Sequence, residues 1–218
     1  MDDWAAVVER EAERYRDGEA RLPDEPDARQ RQLTRMGNAA YGAGLAELMA
    51  GRDDEARAWL DLAARRYRES FADAPPGSWG RPIGALKSRM LAGDAAGAED
   101  EARWALAAGA ADAESPIGRY AACLALLTLG RDEDARAHAD AIRTRDDFPA
   151  AVGDALAMLA ARTDQIGYVE AVEAVLESFE QRDEYLEDVA VADTVLVLQA
   201  LAERRDLAAD LSSPLLPG

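Results

Sequence analysis

The stretch "AGRDDEARAWLDLA", residues 50–63, decides the fold. Gly51 follows a run with helical spacing, and acidic residues come soon after it. Ala56, Trp59, Leu60, Ala63 and Tyr67 then recur at i, i+3, i+4, i+7 and i+11, while Asp53, Asp54, Arg57 and Asp61 fall outside that stripe. A glycine that ends one helix can take a positive φ, and an amphipathic stripe directly after it belongs to a second helix folded back on the first. The stretch therefore encodes a helical hairpin.

The same corner occurs twice more, in "AGDAAGAEDEARWA" (92–105) and "LGRDEDARAHADAI" (129–142). Each copy has a glycine at a helix end (Gly51, Gly93, Gly130) and an alanine five positions on (Ala56, Ala98, Ala135). A small residue at that point lets the two helices of a hairpin pack closely.

Working outward, apolar residues recur at three- and four-residue spacing almost everywhere, and β-branched alternation is nearly absent. The expectation is an all-α protein of about nine or ten helices, with antiparallel helical hairpins stacked as an α-α superhelix. Helices are expected over residues 3–17 and 27–50, then one carrying the stripe above, then one beginning near Pro82. Others follow at about 95–108, 116–129, 132–144, 148–161, 166–181 and 186–203.

"DGEARLPDEP" (17–26) is expected as a loose connection, and Gly37, Gly42 and Gly44 mark a kink or a close backbone approach within the second helix. Ser115 and Pro116 form a cap and first-turn pair. Val195 to Leu198 is apolar all round, so neighbouring helices should bury it. The chain is expected as one domain over 1–218: an N-terminal helix and loop (1–26), a hairpin array (27–211) and an extended tail (212–218) docked by Leu215 and Leu216.

The glycine corners resemble those of tetratricopeptide-type repeats. In the first copy Gly44, Gly51, Ala56, Leu60 and Ala63 match that family's small, turn, small, large and small positions. The similarity covers roughly residues 37–144. Successive glycines are 42 and 37 residues apart instead of the family's ~34, Glu47 stands where an aromatic is usual, and most units lack a closing proline. The resemblance implies a degenerate repeat array that binds a peptide or protein along its concave surface.

Asp and Glu total 43 against 25 Lys and Arg, for a formal charge of -18. Such a surface repels phosphate backbones and anionic lipid headgroups, which argues against nucleic acid and membrane as partners. Of the 25 basic residues only Lys87 is a lysine. That skew, with abundant Ala, Asp and Glu, resembles the proteins of extreme halophiles, where a Debye length of ~3 Å at molar salt screens the self-repulsion. Cys123 is the one cysteine and lies in an apolar run, the N-terminus carries acidic residues, and no apolar run is long enough for a membrane span. A cytoplasmic location is expected.

His138 is the sole histidine and sits beside its helix's packed stripe, where a structural role is expected. There is no phosphate loop, calcium loop or zinc motif, and no cofactor is expected. The best binding candidate is "PPGSWGRPIGALKSRM" (75–90), which gathers Trp79, Arg81 and Lys87. Arg35, Asn38 and Tyr41 on the first helix of the preceding hairpin (27–50), and Arg119 and Tyr120 on a later one, extend this into a basic and aromatic strip suited to an acidic peptide or small anion. The function expected is a non-catalytic protein-interaction scaffold. Its rivals are an inhibitor or immunity-type protein that neutralises a basic partner, and an enzyme with a pocket enclosed by helices. The apolar final helix and the array's exposed ends invite self-association as a homo-oligomer.

Overall fold

The computed structural model describes residues 3–162 and 164–218, and these are all-helical: ten α-helices in hairpin-like packing, with no strand. No helix among them is long and apolar enough to cross a membrane. The helices fall into two compact units.

The first unit contains residues 1–95, 183–191 and 214–218. Its helices are α1 (Trp4–Ala20), α2 (Pro26–Met49), α3 (Asp53–Phe71) and α4 (Gly80–Leu91), each packed on the one before. Asp3 caps α1 and Glu25 caps α2, whose first residue is Pro26, so the connection between them is short. α1 runs through Gly18 to Ala20, farther than its sequence suggests. A Cβ on Gly18 would lie 2.6 Å from Gln32 Nε2 and 2.7 Å from Met36 Cγ, so this glycine permits close contact with α2 and does not break the helix.

The same reasoning settles the glycine cluster of α2, which is one continuous helix. A Cβ on Gly44 would meet Leu60 Cγ at 2.7 Å, and one on Gly37 would meet the Tyr67 ring at 3.0 Å. These glycines let α3 lie directly on the α2 backbone. Ala56, Leu60, Ala63 and Tyr67 of the expected stripe are buried there.

The second unit contains residues 96–182 and 192–213. It holds α5 (Ala95–Ala107, from its second residue), α6 (Pro116–Thr128), α7 (Asp132–Arg143), α8 (Ala150–Ala161), α9 (Gln165–Glu180) and α10 (Asp193–Glu203). α6, α7, α8 and α9 pack in sequence, and α10 lies against α8 and α9. Ser115 caps α6 through the Gly118 N–H at 3.2 Å. Val195, Val197 and Leu198 are fully buried.

The three glycine corners share one geometry. Gly51, Gly93 and Gly130 have φ of 69°, 68° and 71°. At the first, the Arg52 N–H donates to the Glu47 carbonyl and the Gly51 N–H to that of Leu48; the Asp94/Arg89 and Gly93/Met90 pairs, and the Arg131/Leu126 and Gly130/Leu127 pairs, repeat this at the other two. This paired closure satisfies carbonyls that a helix end otherwise leaves without partners.

One element departs from expectation. Residues 186–192 are not the start of the last helix: Leu186–Asp188 is a single 3-10 turn, and Val189 and Val191 are buried beyond it. Glu187 and Asp188 sit at φ of 56° and 55°, in the left-handed region that ends a helix. α10 begins only at Asp193.

Candidate functional site

The expected basic and aromatic strip divides among different environments. Tyr41, Lys87 and Tyr120 are buried, Trp79, Arg81, Asn38 and Arg119 are half-buried, and only Arg35 is exposed. In the first unit the Arg81 guanidinium reaches back to α2, where its Nε donates to Thr34 Oγ1 at 3.0 Å and its Nη2 to Gln30 Oε1. Burial holds its pKa below the ordinary arginine value. Arg81 thus ties α4 to α2. Trp79 tilts against Phe71 at 6.3 Å between ring centroids, and Tyr41 meets Tyr67 edge to face at 6.5 Å.

Asn38 belongs to a network that sequence reasoning missed. Its Oδ1 accepts from the Tyr67 hydroxyl at 2.9 Å, and its Nδ2 donates to Glu187 Oε1 at 3.1 Å. Glu187 also binds Arg14, and its carbonyl accepts from Arg10 Nη2 at 2.8 Å. Arg14 and Arg10 in turn hold Glu11, which is fully buried, at 3.0 Å and 2.7 Å. Burial pulls the Arg14 guanidinium down, but Glu11 and Glu187 beside it outweigh burial and hold its pKa above the usual arginine value. The available signal was Glu11 itself, at the same helical face as Tyr15 and Gly18.

Beside this network, α1 and α2 enclose a cleft of about 260 Å³ lined by Arg14, Asp17, Gly18, Arg21, Gln32 and Arg35. Three guanidiniums and one carboxylate line it, which inverts the charge balance of the whole chain. Arg14 is matched by Glu11 and Glu187, and Arg21 by Asp17 at 3.1 Å. Arg35 makes no ion pair or hydrogen bond among the described residues.

In the second unit, Arg119 lies near His138 on the next helix. Burial first, then the Arg119 charge, pushes the imidazole pKa down, against the opposing pull of Asp134. His138 Nδ1 is buried and has no hydrogen-bond partner among the described residues. Burial pushes the Tyr120 hydroxyl and the Cys123 thiol far up; the thiol faces the Ala135 carbonyl at 3.6 Å. Neither group is poised for proton transfer or nucleophilic attack.

Two further openings in this unit are acidic. One, of about 390 Å³ between α8 and α9, presents Asp154, Asp164 and Glu170 with Arg143. The other, of about 350 Å³, lies between α9 and residues 210–212 and presents Glu173, Glu177, Glu180 and Asp210. Among the described residues no group of three or more His, Cys, Asp or Glu is placed to hold a metal ion. Compared with protein-family models, curated proteins and solved structures, the chain matches none.

Proposed function

We propose that the protein is a non-catalytic interaction module, a degenerate array of tetratricopeptide-type hairpins that holds a segment of a peptide or protein partner in the cleft between α1 and α2. The observation that carries this is Arg35: an exposed guanidinium without a partner among the described residues, in a cleft where each neighbouring charge is already matched. Several other arginines are tied into the fold. Arg66, for example, binds the Tyr15 hydroxyl, Glu19 and Glu69 at once. An open cleft with one unmatched fork is suited to recognition, and its one carboxylate, Asp17, is already held by Arg21.

Sorting a random peptide library on the purified protein and on an Arg35→Ala variant tests this. Enrichment that disappears in the variant is expected. A library that yields no enrichment, or enrichment indifferent to Arg35, refutes it.

The acidic cleft against α9 favours a second reading, in which the surface neutralises a basic partner. Lysine- and arginine-rich sequences that survive Arg35→Ala and are released by salt would favour that alternative.

A further inference from the structure

Resting on the interaction module proposed above, we infer that the α1/α2 cleft is a carboxylate-binding site whose ligand competes with Glu187 for Arg14 and so unclips residues 183–191 from α1 and α2. Arg14 belongs to both arrangements: it lines the cleft and it binds the Glu187 carboxylate. Arg21, Gln32 and Arg35 supply the remaining donors. A carboxylate entering the cleft meets Arg35 first, because it alone among the cleft's arginines has nothing to give up.

The resident partners of these arginines identify the ligand class. Glu11, Glu187 and Asp17 are all carboxylates, so a further carboxylate exchanges like for like at equal charge. A phosphate would bring more negative charge toward a chain of formal charge -18, and the lining offers no lysine, serine or threonine to receive it. An acidic peptide segment is the ligand that fits.

Glu187 is suited to release. Its backbone is held at φ 56°, a conformation that persists in a non-glycine residue only while its surroundings enforce it. Enforcement comes from Arg14, from Asn38 at 3.1 Å and from Arg10 at 2.8 Å. Beyond it, the Asp188, Val189 and Val191 N–H groups bond only locally, to the Tyr185, Leu186 and Val189 carbonyls. Taking Arg14 away removes the charged member of the clip and leaves two hydrogen bonds and the buried Val189 and Val191 side chains against the strained turn.

The test uses the full chain with hexaglutamate and inorganic phosphate as probes at one fixed ionic strength, read by calorimetry and by amide hydrogen exchange. Hexaglutamate should bind about tenfold more weakly to Arg35→Ala, the worth of one charge-assisted contact. It should bind severalfold more tightly to Glu187→Gln, which lacks the internal competitor. The amides of residues 188–191 should exchange faster with hexaglutamate present, and in Glu187→Gln without it. Failure of hexaglutamate to bind, or binding indifferent to Arg35, overturns the site, and phosphate binding more tightly than hexaglutamate overturns the carboxylate assignment. Unchanged affinity in Glu187→Gln with unchanged exchange overturns the competition. In each of these cases the interaction module itself stands if library sorting still returns Arg35-dependent peptides.

Discussion

Asp132 is the residue on which the second unit's charge balance turns. Its carboxylate receives Arg205 Nη2 at 2.5 Å and also binds Arg162; the Arg205 side chain is 1% exposed, whereas that of Arg162 is 54% exposed. Arg205 donates besides to the Leu201 and Leu127 carbonyls at 2.8 Å and 2.7 Å, and its Nε has no partner among the described residues. Asp132→Asn keeps the shape and removes the charge, leaving Arg205 buried without a counterion.

Breaking one side of such a buried pair costs about 3–5 kcal/mol, and the two remaining carbonyl bonds place this case near the lower end. For a chain of this size a loss of ~3 kcal/mol lowers the melting temperature by roughly 6–12 °C. Urea unfolding followed by circular dichroism measures it, with the midpoint falling at unchanged slope. The double variant Asp132→Asn with Arg205→Met should recover most of the loss, because no buried charge is then stranded. A single variant that loses less than about 1 kcal/mol, or a double variant no better than the single, would refute the account.

Three other perturbations have directions fixed by the structure. Gly153→Ala should destabilise by about 1–3 kcal/mol in spite of better helix propensity, since its Cβ would lie 2.8 Å from the Arg143 Cα; Gly80→Ala, with open space around it, should be neutral or slightly stabilising in the same urea assay. The lone histidine gives a single imidazole titration by NMR, expected below the ordinary 6.5 and moved upward by Arg119→Gln. Because the folded pKa is the lower one, the stability His138 contributes is complete above the unfolded value near 6.5 and is lost as pH falls from there to the folded pKa; a His138→Gln variant should show a shallower stability loss across that window. Finally, a chain carrying 43 carboxylates against 25 cations should melt at higher temperature in multimolar KCl than in dilute buffer, and equal melting temperatures would refute the halophilic reading of its composition.

Most helices were legible because their signals are local. A glycine before an acidic residue and an alanine five positions later specifies a corner that closes through its own backbone, and all three such glycines take the expected left-handed conformation. Gly18 and Glu187 were misread for the opposite reason. Gly18 looks like a breaker until Met36 and Gln32 of the neighbouring helix are known to press against it. Glu187 lies in a stretch with helical composition, and only Arg10, Arg14 and Asn38, more than 145 residues away in the chain, hold it out of a helix. Lys87 and Tyr41 show the same limit at the candidate site: they were expected on an accessible binding strip, and both are buried.

The interleaved course of the chain bears on biosynthesis. The first unit is built from residues 1–95 together with 183–191 and 214–218, whereas the second takes the segments between them. On a ribosome, α1 to α4 therefore emerge long before the segment bearing Glu187 and Val189, and Glu11 waits beside Gly42 with part of its covering still unsynthesised. Nascent α1 and α2 must tolerate that interval, and a translational pause or nonsense codon anywhere in 96–182 would strand them half-covered.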